Sequence, residues 1–293
     1  MGTVAFDDFD LPEEHMVDVG SLESATNEEP FNEESFELLK EACILLTTVA
    51  GLRIGPQAKG LERNHAIIVG HYARMIRLAK SLIRQASDGH GGDQQLSITR
   101  EYMDSISTML YLLDDPGDGS RYDAYVFDGL IAEREFLKNV RQMVKARGGE
   151  HIEIEHRIER SIATTLKAAG VEEKDIPARE KNIWPNAQTR VDLLGPTAYS
   201  AYRTGSNAIH GGFADIEKHY LDQTGDLFEI ALDPQRFRPQ PLLALGLLSL
   251  TSIHRYSKVY LDDQLPSLVD KRIELLMHKL RHVDALHEAY LAR

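Results

Sequence analysis

Cysteine is almost absent: one residue, Cys43, in 293. That count excludes a disulfide framework and fits a reducing compartment. Zinc-ligand spacing is missing too, since neither HExxH nor a cysteine pair occurs. The glycine-rich "GHGGD" lacks the lysine and the preceding strand of a phosphate-cradling loop, and no nucleophile elbow is present. Long hydrophobic runs are lacking. The most apolar one, "LLALGLLSL" at 242–250, is too short to span a bilayer and is followed by His254, Arg255 and Lys258. No Lys or Arg precedes Lys40 and no apolar segment accompanies that stretch, so no secretory signal is expected. These absences predict a cytoplasmic protein with no membrane association, no metal and no cofactor.

What is present begins with charge. The formal net charge of -13 is not spread along the chain. Residues 1–35 hold eleven Asp or Glu and no Lys or Arg, leaving 35 acids against 33 bases in the rest. Residues 1–32 lack helical periodicity over most of their length and read as an acidic disordered arm, with 33–293 as a single all-helical domain. The arm is either a solubilising tail or a mimic of nucleic-acid charge covering a basic groove, anchored by Phe6, Phe9 and Leu11.

Beyond residue 35 the pattern is helix after helix. Phe36, Leu39, Ala42, Cys43, Leu46 and Val49 recur at steps of three and four, ending at Gly51. Further helices are predicted over about 60–87, 94–114, 120–147 and 151–169, the last with Ile154, Ile158, Ile162 and Leu166 at steps of four and Gly170 as its stop. An irregular stretch with two prolines, 171–186, precedes short helices near 186–194 and 197–210. Long helices follow over about 240–262 and from Pro266 nearly to Arg293. No hairpin dipeptide separates alternating runs, and no repeat is visible. The fold class expected is all-α, an up-and-down helical bundle with additional C-terminal helices.

Two short patterns carry potential chemistry. Glu-x-x-His occurs at Glu62/His65 and Glu153/His156, as in di-iron bundles, but two further glutamates on partner helices are not marked. An arginine followed at short distance by histidine occurs at Arg84/His90, Arg203/His210, Arg272/His278 and Arg281/His287. The 203–210 copy has the richest surroundings. Seven residues are nearly two helical turns, so Arg203 and His210 share a face about 10 Å apart along the axis. Ser206 and Asn207 fall in the same stripe. Gly211 and Gly212 then stop the helix, leaving His210 in a last turn that favours imidazolium. The competing reading is structural: Tyr202, Arg203, Ser206 and His210 satisfy one another and a neighbouring helix.

The stretch "WPNAQTRVDLLGPTAYSAYRTGSNAIHGG" resembles the fingerprint of a bacterial all-helical family, domain of unknown function 5677, itself distantly similar to the HEPN ribonucleases. Trp184, Pro185, Tyr202, Arg203, Ser206 and His210 match it, and Arg100 and Asp104 match an arginine and an acid four apart on an earlier helix. Ala198 stands where the family has a first tyrosine, with Tyr199 one residue later, and Thr204 follows the arginine where HEPN nucleases usually carry Asn, Asp or His. The resemblance implies a HEPN-like bundle, a homodimer and metal-independent RNA cleavage in a toxin or antiviral defence setting, with an antitoxin or defence component as protein partner. Arg203, His210, Ser206 and Asn207 would be catalytic, supported by Tyr202, Arg100 and Asp104. RNA would be met locally, through Arg74, Arg77, Lys80 and Arg84 on the second helix. The alternative is a non-catalytic binding module in which Arg203, Ser206 and His210 form a polar brace or ligand pocket.

Overall fold

The computed structural model describes residues 11–52, 60–87, 91–233, 235–261, 263 and 265–293. Phe6, Phe9 and His90 lie outside them. In chain order the elements are α1 (Val19–Glu23), α2 (Glu29–Gly51), α3 (Arg63–Ser87), α4 (Gly92–Asp114), α5 (Gly119–Ala146), α6 (Glu153–Ala169), α7 (Ala187–Val191), α8 (Ala198–His210), α9 (Phe213–Tyr220), β1 (Leu221–Thr224), β2 (Leu227–Ile230), α10 (Pro239–Tyr260) and α11 (Ser267–Leu291). The protein is all-α, as its periodicity predicts, with one two-stranded sheet among the described residues.

That small sheet corrects the expectation of no hairpin. β1 and β2 pair antiparallel, Leu221 opposite Ile230 and Thr224 opposite Leu227. The connection is Gly225-Asp226, and Gly225 adopts φ +65°, which glycine reaches without steric cost. Each strand is only four residues long, so the periodicity was too brief to register.

Two compact units make up the chain, one formed by Met1–Asp114 with Ala187–Arg293 and the other by Asp115–Asn186. In the first, α10 packs against α2, α4 and α11. Pro239 opens α10 where a missing N–H costs nothing. Leu242, Leu243, Leu245, Leu250 and Ile253 are buried, and a Cβ on Gly246 would come within 2.9 Å of Leu280 Cδ2, so α11 lies close against this helix. Ser249 and Ser252 are also buried, each donating to a carbonyl of its own helix at 2.6 Å. They meet tyrosines from neighbouring helices: the Tyr102 hydroxyl bonds Ser249, and the Tyr72 hydroxyl donates to the Ser252 carbonyl at 2.9 Å. Burial drives both phenol pKa values far up, so both remain protonated donors. Cys43, on α2, is 5% exposed, and burial pushes its thiol pKa up as well.

In the second unit α5 packs on α6. Leu130, Ile131 and Ile176 form its small core with Val126, Leu166 and Val171 around them. The irregular 171–186 stretch is held by side chains rather than by regular structure. Arg134 donates to the carbonyls of Ile176 and Pro177, Asn182 donates to the carbonyl of Ala124 at 3.1 Å, and the Trp184 ring meets Tyr125 edge-on at 5.2 Å.

The acidic arm departs from expectation over its described part. Residues 11–32 are packed, not free. Asp18 caps α1 by accepting from the Ser21 N–H, and Leu22 is 1% exposed. Lys279 of α11 pairs with Glu14 and donates to the His15 carbonyl, while Arg272 bridges Glu41 and the Pro12 carbonyl. The buried His287 bonds Glu28 at 3.1 Å, and Phe31 packs on its ring at 4.9 Å. Two of the four Arg–His patterns, 272/278 and 281/287, therefore contribute a residue to anchoring this segment. Leu22→Ala is expected to cost about 2–5 kcal/mol in urea denaturation, the range for deleting a buried leucine side chain. A cost near zero would mean that the segment rests on the body without stabilising it.

Candidate functional site

The stripe expected on α8 divides in two. Tyr202 and Ser206 face the interior, while Arg203, Asn207 and His210 are exposed. The inward half meets α4. Arg100 Nε donates to Ser206 Oγ at 2.8 Å, and Ser206 donates onward to the Tyr202 carbonyl at 3.2 Å. Arg100 Nη2 donates to the Tyr202 hydroxyl at 2.9 Å, which in turn donates to Asp104 Oδ1 at 3.0 Å. The Arg100 guanidinium also lies over the Tyr202 ring at 4.7 Å. Arg100 and Asp104 face one another at 3.7 Å, and Arg190 from α7 approaches the same carboxylate at 3.8 Å. Tyr202, Ser206, Arg100 and Asp104 thus form a closed chain of donors and acceptors.

Apolar residues wall this chain. Tyr202 belongs to a cluster with Met103 and Val191, packed by Leu194, Ala198 and Tyr199. Burial, then the Asp104 charge, raises the Tyr202 pKa, so its hydroxyl stays a donor. The close approach of α8 to α4 depends on a residue that sequence reasoning passed over. A Cβ on Gly205 would lie 2.7 Å from both the Leu96 carbonyl oxygen and Arg100 Cβ. Glycine inside a helix is otherwise costly, which was the available signal.

His71 of α3, within reach of the Arg190 charge that also approaches Asp104, carries no signal in the sequence. It is 9% exposed, and burial followed by the charges of Arg74 and Arg190 lowers its pKa from 6.5 to about 4. It is therefore a neutral imidazole at pH 7.

The outward half is simple. His210 is the last residue of α8, and Gly211 in the left-handed conformation, φ +59°, closes the helix behind it. Beyond it come Phe213, 73% exposed, and the exposed Ile216, while Ile209 precedes it, also exposed. On α3, Arg74 is spent on Ser105 at 3.0 Å and Glu101 at 3.0 Å; Arg77, Lys80 and Arg84 are exposed. The Glu-x-x-His pairs do not act as pairs. His65 bonds the Tyr256 hydroxyl at 3.0 Å and stacks on Tyr260, and Glu153 pairs with Arg160 at 3.4 Å.

A closed hydrogen-bonded core beneath exposed Arg203, Asn207 and His210 defines a helical protein that presents α8 to its surroundings. The chain belongs to a family of unknown function (DUF5677), whose model matches residues 65–228. That match contains α8 and its partner α4, and it ends inside β2. No curated protein and no solved structure matches the chain. Among the described residues, no helix is long and apolar enough to cross a membrane.

Two expected outcomes follow from the inner cluster. Arg100→Ala leaves Tyr202, Ser206 and Asp104 short of a partner. Because Arg100 and Asp104 are 22% and 26% exposed, water relieves part of the cost. The loss expected in urea denaturation is about 1–3 kcal/mol rather than that of a fully buried pair; an unchanged midpoint would show that the chain does not fasten α8. For His71 the sign is fixed by its lowered pKa. Between pH 6.5 and about 4 the unfolded chain takes up a proton that the folded protein refuses, so stability falls as pH drops through that window. His71→Leu should flatten that part of the stability–pH curve, and an unaltered slope would contradict a buried neutral imidazole.

Proposed function

We propose that this chain is a metal-independent endoribonuclease of the HEPN-like kind. Arg203 and His210 act on RNA, Asn207 lies beside them, and Ser206 with Tyr202, Arg100 and Asp104 fixes the helix that carries them. The observation that supports this reading is the division of α8: its inner residues are committed to the protein, while Arg203 and His210 are exposed. Metal-free cleavage needs a base near the 2′-hydroxyl, an acid for the leaving oxygen and a cation on the phosphorane. Imidazole serves as acid or base near neutral pH, and guanidinium stabilises the developing phosphoryl charge. One helix offers one of each, so a two-fold pair of chains would supply two of each across a shared cleft. The resemblance to HEPN nucleases suggests a toxin or antiviral role with a restraining protein partner, in the cytoplasm. Exposed Arg77, Lys80 and Arg84 are the local phosphate contacts this reading employs.

A second reading is favoured by one feature. Ile209, Phe213 and Ile216 surround the position of His210 in the chain with exposed apolar side chains, as a protein-binding surface would. There α8 is a braced recognition helix and no cleavage occurs.

Incubation of the purified protein with total RNA separates the two. For a nuclease, wild type cleaves and leaves 2′,3′-cyclic phosphate ends, EDTA does not inhibit, and Arg203→Ala and His210→Ala each lower the rate by about 10²–10⁴-fold. Both side chains are exposed, so melting temperatures should hardly change. An inert wild type, or active alanine variants, would overturn the nuclease reading.

A further inference from the structure

The turn into α6, within the unit formed by Asp115–Asn186, brings together residues that sequence spacing does not join. His151 precedes the helix, and His156 and Glu159 lie one turn apart on it. The imidazoles of His151 and His156 stack face to face, centroids 4.7 Å apart and planes 7° from parallel. His151 Nε2 is 3.6 Å from Glu159 Oε1. One donor atom from each of the three side chains falls within 4.8 Å of the other two.

We propose that His151, His156 and Glu159 form a binding site for a divalent transition-metal ion of the zinc type. Two imidazoles and one carboxylate are the donors such ions select, whereas magnesium and calcium prefer all-oxygen sets. Three protein ligands leave the fourth tetrahedral position to water. Donors about 2.0–2.1 Å from a tetrahedral ion stand about 3.3 Å apart, so the side chains must close from 4.8 Å by rotation. His151 and His156 are exposed and Glu159 half-buried, which leaves room for it.

The backbone beneath the ligands is already clamped. Glu155 is 3% exposed, accepts the Ile152 N–H at 3.0 Å and is paired with Arg147. Arg147 also donates to the Glu150 carbonyl at 3.4 Å. The residues on both sides of His151 are thereby tied to the frame that carries His156 and Glu159, the supporting role that buried partners play at metal sites. A helix N-terminus disfavours a cation, but Glu153 and Glu155 in the first turn and Glu159 in the second oppose that field. A hollow of about 510 Å³ lined by Glu153, His156, Glu159 and Arg160 adjoins the site and gives an ion access.

The test is calorimetric titration of the full chain with Zn²⁺, and with Co²⁺ as a visible-absorbance probe. One competitor must be controlled: His278 and His282, four apart on α11 with ring centroids 6.3 Å from each other, offer a two-imidazole surface chelate. His156→Ala and His151→Ala should each weaken Zn²⁺ binding at least tenfold, Glu159→Gln should weaken it less, and a His278→Ala/His282→Ala double variant should retain the tighter site. Excess Mg²⁺ should not displace Zn²⁺. No Zn²⁺ binding by wild type, equal binding by His156→Ala, loss only in the α11 double variant, or displacement by Mg²⁺ would each overturn the proposal. Arg203 and His210 belong to the other unit, so metal binding and chelator-resistant RNA cleavage are read independently.

Discussion

The contact on which the exposed face of α8 depends is the one between Arg100 and that helix. A guanidinium has five donors in a fixed fork, and here it spans a serine hydroxyl, a tyrosine hydroxyl and a tyrosine ring. A lysine could supply the charge but not the three directions. Gly205 completes the arrangement, because any side chain there would collide with the backbone of α4 before the fork could reach Ser206. The orientation of α8, and with it the direction in which Arg203 and His210 point, follows from these two residues.

The same economy shapes the core around α10. An uninterrupted apolar helix would slide or rotate against its neighbours with little penalty. Ser249 and Ser252 place polar notches in it at fixed heights, and Tyr102 and Tyr72 reach those notches from α4 and α3. Each buried hydroxyl needs a partner, so a shift in register would strand it. Polar groups thus specify the packing that leucines merely make favourable.

Much of this was legible in the sequence. The long helices follow from apolar residues at steps of three and four, and the spacing of Arg100 and Asp104 puts the two one turn apart on α4. The polar stripe on α8 was visible, yet its division into an inner and an outer half was not. Residues at steps of three and four from Arg203 lie on opposite sides of it, about a hundred degrees apart around the helix, enough to bury Ser206 partly while exposing Asn207. The packing of residues 11–32 is not legible locally, because their composition is that of a disordered tail. Their partners, Arg272, Lys279 and His287, lie more than two hundred residues away, and no local pattern reports such pairing. Nothing in the local pattern marks His71, because its environment depends on Arg190 from a helix of five residues.

The single buried cysteine gives the protein an internal clock for opening. The thiolate is the form that attacks thiol reagents, and Cys43 is both shielded and held as the neutral thiol. Modification must therefore wait until α2 separates from the helices packed on it, among them α3, whose Lys80 lies near the thiol. The Asp115–Asn186 unit has no thiol, so the labelling rate reads the larger unit alone. Its dependence on temperature or bound partner would report how often that core breathes, in native buffer and without any engineered probe.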